Sequence, residues 1–299
     1  MAADLGFDGR VAIVTGAGGG LGKEHALLLA SRGARVVVND LGGGLHGEAE
    51  GTGNDAAIVA KEIESAGGVA IADTNSVATA AGGAAIVQTA LDAFGQVDIV
   101  VNNAGILQDK TFHNMTADMD RAVVETHLLG AFNVTRPAWV KMREQGFGRV
   151  VNTSSNSGLL GNFGQANYGA AKMGLVGFTR VLAAEGAKYN IKVNALAPVA
   201  RTRMTADLLG PMADRVGPEL VSPIVGWLCH EDCPVTGEIY SAAGGRIARY
   251  FVALTPGYYN AALTMEDVRD NFDQIRDEKD YIVPGSPADE FAALTKHFR

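Results

Sequence analysis

Tyr168 and Lys172 stand four residues apart in Asn167-Tyr-Gly-Ala-Ala-Lys172. On a helix that spacing places both side chains on one face. A phenol with a pKa near 10 is a poor base at neutral pH. An ammonium about 4 Å away, at an effective dielectric near 20, contributes about 4 kcal/mol, or roughly three pKa units. That brings the phenol into the range for proton transfer. Ser155 lies thirteen residues upstream, able to hydrogen-bond a reacting oxygen. Taken alone, the Tyr/Lys spacing is common on surface helices, so it gains weight only from its surroundings.

Those surroundings include Thr15-Gly-Ala-Gly-Gly-Gly-Leu-Gly22, placed between a strand-like and a helix-like stretch. Glycines there let the backbone turn tightly and approach a pyrophosphate, which then faces the positive end of the following helix. Asp40 ends the next apolar run, 20 residues after Gly20. An acid at that place accepts hydrogen bonds from adenosine ribose hydroxyls and repels a 2′-phosphate. No Arg or Lys follows it closely, so the spacing predicts NAD over NADP.

The elements that must position these groups are legible as alternation. Buried strands are expected at 11–15, 35–39, 69–72, 97–101, 149–153 and 191–195. Helices are expected near 21–32, 55–66, 80–94, 116–145 (with one break around Pro137) and 165–188. Short apolar strands alternating with amphipathic helices predict an α/β doubly wound parallel sheet, a Rossmann fold. Residues 42–55 are glycine-rich and read as a loop. The stretch 201–218, with Met204, Leu208, Leu209 and Met212, reads as an apolar lid; Arg201 and Arg203 meet either solvent or an anionic thioester carrier. Residues 257–299 hold nine acids and five Lys/Arg and no strand signal, with a short helix expected around 265–279. The chain is therefore read as one domain, 1–256, with an acidic C-terminal extension, 257–299.

Composition excludes several classes. The 299 residues carry 25 Lys+Arg against 33 Asp+Glu, a net charge of −8, which argues against nucleic acid as the main partner. No apolar run approaches the roughly 18–20 residues of a membrane span. Two cysteines exclude a disulfide scaffold. Cys229 and Cys233 lack the spacing of a metal site, and no metal is expected. The 38 glycines are spread through the chain as turns and close approaches. Phe163 and Tyr189 read as packing residues.

Thr15–Gly22, Asn102-Asn-Ala-Gly105, Ser155, Tyr168 and Lys172, in this order and spacing over about 8–245, resemble the short-chain dehydrogenase/reductase family. Asn39-Asp-Leu-Gly-Gly43, the glycine-rich insertion, Gly161-Asn-Phe-Gly-Gln-Ala-Asn-Tyr168 and Trp227-Leu-Cys-His230 resemble a narrower branch. It comprises the (3R)-hydroxyacyl-CoA dehydrogenase domains of peroxisomal multifunctional enzymes and their bacterial single-domain relatives. The resemblance implies hydride transfer between a secondary alcohol or ketone and NAD, with a 3-hydroxyacyl-CoA first and a hydroxysteroid second as substrate. A catalytically silent NAD-binding protein is the alternative from another class.

By the same resemblance Tyr168 is the acid/base, Lys172 its modulator and a ribose ligand, and Ser155 the holder of the substrate oxygen. Gly16, Gly20, Leu21 and Gly22, with Gly18 and Gly19 between them, form the pyrophosphate turn. Asp40 and Leu41 meet the adenosine, and Asn75 and Ser76 border the adenine. Asn103, Ala104 and Gly105 pass beneath the cofactor, and Pro198, Val199 and Thr202 meet its nicotinamide end. Three departures stand out. His127 replaces a relay Asn and either holds the same water or bond, or packs. Ala197-Pro-Val-Ala200 lacks the glycine often found after the proline. Asn75 stands where Asp is more usual. A dimer or tetramer built on the helices near 116–145 and 166–188 is implied as well. The N-terminus lacks a secretory pattern and Lys296-His-Phe-Arg299 is not a peroxisomal address, so the expected location is cytoplasmic.

Overall fold

A computed structural model describes residues 5–44, 54–202, 205 and 210–298. The chain divides into two units, Met1–Arg249 and Tyr250–Arg299.

The first unit holds one eight-stranded sheet of order β3-β2-β1-β4-β5-β6-β7-β8. Its strands are β1 (Val11–Thr15), β2 (Arg35–Asn39), β3 (Val69–Asp73), β4 (Ile99–Asn102), β5 (Gly148–Thr153), β6 (Ile191–Val199), β7 (Ile239–Ala243) and β8 (Arg246–Tyr250). β1 through β7 pair in parallel. The two-residue turn between β7 and β8 returns the chain antiparallel. The doubly wound expectation is met, with β7 and β8 added at one edge.

Successive side chains of a strand point to opposite faces, and β1 shows it. Ala12 and Val14 join Leu29, Val59, Ile63 and Leu228 on one face. Helices α1 (Gly20–Ser31), α2 (Asp55–Ser65) and α8 (Ser222–Cys229) supply that layer. Val11 and Ile13 join Ile86, Val134, Met142 and Ile191 on the other. Helices α3 (Ala80–Phe94) and α5 (Gly130–Gln145) cover it. Each fully buried aliphatic side chain contributes about 1.5–3 kcal/mol, so the two cores hold the sheet from both sides.

The long helix expected over 116–145 is interrupted, but not at Pro137. α4 (Ala117–Val124) passes into a π-helical turn, Glu125–Leu129, before α5 runs on through Pro137. Two side chains of the turn bond outside it: Thr126 Oγ1 donates back to the Ala122 carbonyl at 2.8 Å, and the His127 ring is tied to the backbone of Ile106. A short helix α6 (Asn156–Leu160), absent from the sequence reading, precedes α7 (Ala166–Gly186).

Arg149 on β5 is fully buried. Its guanidinium donates to the carbonyls of Gly148 and Asn190 at 2.8 Å, Glu231 at 3.1 Å and His230 at 3.2 Å. The Phe147 ring lies 4.3 Å from it. Cys229 and Cys233 are free, buried thiols.

The second unit begins at Tyr250, the last residue of β8, where the sequence reading put the boundary at 257. It contains α9 (Met265–Asp270), α10 (Phe272–Arg276) and α11 (Pro287–Thr295). Capping boxes Thr264/Asp267 and Ser286/Asp289 start α9 and α11. As expected, no strand forms among the described residues of 257–299; Leu254 and Ile282 form an isolated antiparallel bridge. No residue of this unit is buried among those described. Part of the expected glycine loop and lid, including Arg203, Met204, Leu208 and Leu209, lies outside the described residues. Within the lid stretch, Gly210–Arg215 forms a 3₁₀ turn, and Arg201 pairs with Asp214 at 2.9 Å.

Candidate active site

The strand order reverses between β1 and β4, the place where open α/β sheets bind ligands. A cleft of about 420 Å³ opens there. Gly16, Gly19, Gly20 and Leu21 line it from the first turn, and Asp40 and Leu41 from the end of β2. Asn75 and Ser76 follow β3, Asn103, Ala104 and Gly105 follow β4, and Thr202 follows β6. Gly16 has φ +63, and a Cβ there would stand 2.7 Å from Ala104 Cα, so only glycine closes this floor. α1 starts at Gly19–Gly20 without a side-chain cap, leaving its leading N–H groups for an anion. This cradle, the uncapped helix end and Asp40 together fit a nicotinamide dinucleotide.

Six expected cofactor positions, Gly18, Gly22, Tyr168, Lys172, Pro198 and Val199, are not among the residues lining this cleft. Gly18 donates its N–H to Asp40 Oδ2 at 2.9 Å. Gly22 is buried inside α1, against the Gly16 carbonyl. Pro198 and Val199 are the last residues of β6 and are outside the lining. Asn39, Gly43, Gly44 and Ile106 line the cleft without having been anticipated. Their adjacency to Asp40 and to the Asn-Asn-Ala-Gly105 run was the available signal.

Ser155, Tyr168 and Lys172 are brought together by β5, α6 and α7. Ser155 is the extended N-cap of α6, accepting from Ser157 N at 3.1 Å. Its hydroxyl donates to Asn156 Oδ1 at 3.3 Å and acts on the Tyr168 phenol to lower its pKa. Ser154 Oγ donates to the Lys172 carbonyl at 2.8 Å, fastening α7 to the end of β5. Lys172 is 3% exposed and its Nζ donates to the Thr153 carbonyl. Nζ lies 5.5 Å from the Tyr168 ring centre.

The electrostatics correct the expectation of a phenol acidified by its lysine. Burial pushes the Tyr168 phenol up, while the Ser155 hydroxyl opposes this and Asp109 adds to it. Burial lowers Lys172 to about 7, so the ammonium is itself partly discharged at neutrality. In this dry site desolvation is the largest influence on both groups.

His127 projects from the π-helical turn. Its Nε2 lies 2.8 Å from the Ile106 carbonyl and 3.1 Å from the Ile106 N–H, and the tautomer decides which bond is made. Its ring stands edge-on to Tyr168, 5.1 Å between centres. Burial, and then the Lys172 charge, hold it well below the usual histidine range, so it is neutral. A Cβ on Gly105 would come within 2.1 Å of His127 Cε1. His127, Lys172 and Asn102 line a space of about 10 Å³ that shares Val77, Ala104 and Thr126 with the main cleft. Phe163, expected to pack, is 87% exposed on the loop before α7. Tyr189 does pack, part-buried against the second core, and Arg143 donates to its hydroxyl at 2.7 Å.

A dinucleotide cleft at the switch point of a doubly wound sheet, beside a Ser/Tyr/Lys group, defines a nicotinamide-dependent oxidoreductase. Residues 10–210 match the family model described as short chain dehydrogenase, and the chain belongs to that family.

The relatives agree. A short-chain type dehydrogenase/reductase of Mycobacterium tuberculosis, Rv0148, is 54% identical over 82% of this chain and 85% of its own length. Mouse peroxisomal multifunctional enzyme type 2 is 47% identical over 93% of this chain, which spans only 38% of that longer protein. Hydroxyacyl-CoA dehydrogenase ChsB1 of Mycobacterium tuberculosis is 38% identical over 81% of this chain and 79% of its own length. Among solved structures, full-length peroxisomal multifunctional enzyme type 2 from Drosophila melanogaster superposes with TM-score 0.82 at 36% identity, covering 98% of this chain and 50% of that one. A 7α-hydroxysteroid dehydrogenase complexed with NADH and 7-oxo glycochenodeoxycholic acid superposes with TM-score 0.72 at 29% identity, covering 80% of this chain and 95% of that one. No helix among the described residues is long and apolar enough to cross a membrane.

Proposed function

We propose that this chain is an NAD-dependent dehydrogenase of 3-hydroxyacyl-CoA thioesters. The observation that carries the chemistry is the convergence of Ser155 and the buried Lys172 on Tyr168, with Lys172 Nζ 5.5 Å from the phenol ring centre. The similarity to a named hydroxyacyl-CoA dehydrogenase supports the substrate class. Asp40 at the ribose end of the cleft supports NAD, since its carboxylate opposes a 2′-phosphate.

NAD, held by the glycine turn and Asp40, would supply the acceptor for the hydride that leaves the carbinol carbon. Ser155 holds the substrate oxygen, and Tyr168 takes the hydroxyl proton in oxidation or returns one in reduction. Lys172, anchored on Thr153, supplies charge behind the phenol and a ribose contact. His127, pinned to Ile106, keeps the loop after β4 in register under the cofactor. Gly18 and Gly22 shape the turn, and Pro198 and Val199 aim the Thr202 segment at the nicotinamide end.

Tyr168→Phe is expected to lower turnover by about 10²–10⁴-fold while leaving NADH binding unchanged. Full turnover in that variant refutes the assignment. A panel of (3R)- and (3S)-hydroxyacyl-CoAs and hydroxysteroids decides the substrate. The steroid reading draws on the hydroxysteroid dehydrogenase neighbour. It replaces the thioester reading if only steroids are oxidised. Leu129, Val140, Met173 and Val181 leave exposed apolar side chains along the π-helical turn, α5 and α7. These support an isologous homo-oligomer through those helices. Two free, buried cysteines are consistent with a reducing cytoplasm as its location.

A further inference from the structure

Asp73, the last residue of β3, is not in the cleft wall and has no part in the chemistry above. It is nonetheless 5% exposed and accepts four hydrogen bonds, two on each oxygen. Oδ1 takes Asn39 Nδ2 at 2.8 Å and Asn75 N at 3.0 Å. Oδ2 takes Asn75 Nδ2 at 2.8 Å and Thr89 Oγ1 at 2.7 Å. Four donors match the full acceptor capacity of a carboxylate. The Asp73 carbonyl also accepts from Asp40 N at 3.0 Å.

Every partner but Thr89 borders the cleft. Asn39, Asp40 and Asn75 all line it, the first two from the end of β2 and the residue after it, the third from the loop after β3. Asp40 in turn accepts from Gly18 N at 2.9 Å and from Gly42 N at 2.8 Å. One buried carboxylate thus connects the ribose edge, the adenine edge and, through Asp40, the glycine turn. Asn75, neutral where an acid is more usual, has a carboxylate two residues earlier.

We propose that Asp73 is a positioning residue for the adenosine half of the cofactor, holding Asn39, Asp40 and Asn75 as one rigid edge of the cleft. This rests on the dinucleotide reading of that cleft. The isostere Asp73→Asn discriminates well. With its oxygen at the Oδ1 place it keeps Asn39 Nδ2 and Asn75 N. Thr89 can turn to its second acceptor, the Ala85 carbonyl at 3.1 Å. The Asn75 amide, faced by a new donor, must turn its oxygen inward to stay bonded, and the charge that held both sides of this edge is gone. Adding Asn75→Asp returns a carboxylate to the pair, with the bond reversed.

The test compares dissociation constants for NADH and for reduced nicotinamide mononucleotide, which lacks adenosine, in the full-length protein. Asp73→Asn is expected to weaken NADH about tenfold, with mononucleotide affinity and kcat at saturating NAD unchanged. Asp73→Asn/Asn75→Asp is expected to return NADH affinity to within about threefold of wild type. Thr89→Val removes a donor from outside the cleft and serves if Asp73→Asn does not fold; it is expected to weaken NADH alone, by about two- to threefold. NADH binding unchanged in Asp73→Asn, or in Thr89→Val where the first variant is lost, overturns the proposal. So does equal weakening of both ligands, which marks a purely structural role. Failure of the wild-type protein to bind NADH defeats the dinucleotide reading itself, and this proposal with it.

Discussion

Three buried titratable side chains give the molecule its pH behaviour. Burial pushes the Tyr168 phenol up, which keeps it protonated at neutrality and ready to donate to a ketone oxygen. Oxidation needs the deprotonated form. The kcat/KM for alcohol oxidation is therefore expected to climb with pH through the neutral and alkaline range, and that for ketone reduction to fall; identical profiles in both directions would remove Tyr168 from the proton path. His25, on α1 against Ser222, is lowered to about 3 by burial, far below its ordinary 6.5. Between those two values the unfolded chain binds a proton the folded chain refuses. Stability must then fall as pH drops from 6.5 toward 3, by at most about 5 kcal/mol from this residue. Thermal melts from pH 7 to 4 are expected to show that slope, and His25→Gln to make it shallower. Lys172, at about 7, works in the same sense over its own window: stability rises with pH from about 7 to the ordinary lysine value.

At the level of elements, the π-helical turn Glu125–Leu129 decides where His127 goes, and Gly105 decides whether it fits. Gly105→Ala is expected to destabilise the fold by about 1–3 kcal/mol through that clash. His127→Ala in the same chain is expected to recover part of the loss; a strictly additive double variant in urea melts would show that the two residues do not meet. Most elements were legible in the sequence because their signals are local. The β-branched runs of β1 and β2 and the Thr79-capped α3 begin and end where periodicity puts them. What escaped depends on partners far along the chain. The helix break sits at 125–129, where Ile106 holds His127, a contact no window around Pro137 reveals. β8, Arg246-Ile-Ala-Arg-Tyr250, occupies an edge and so lacks the continuous apolar run of a central strand. The site shows the same division. Tyr168, Lys172 and the glycine turn follow from spacing, whereas the direction of the phenol's shift follows from burial, and the Asp73 hub requires Thr89, sixteen residues away.

At the scale of the whole molecule, the two units contrast. The first has two cores, one on each face of the sheet. The second, Tyr250–Arg299, has capped helices and a strand bridge but no buried side chain among its described residues. Fifty residues without a core do not hold a fold alone. A peptide of 250–299 is expected to show no cooperative melt by circular dichroism; a sharp transition would contradict this. Sedimentation at micromolar concentration is expected to find an oligomer, and only a monomer there would oppose the pairing of α5 and α7. Arg149 adds a constraint on how the first unit comes to be made. Two of the four carbonyls that receive its guanidinium belong to His230 and Glu231. Protein synthesis runs from the N-terminus, so a nascent chain arrested at residue 200 has its central strands yet must leave that cation half satisfied. Closure of the sheet's interior therefore waits until the ribosome has delivered the turn after α8.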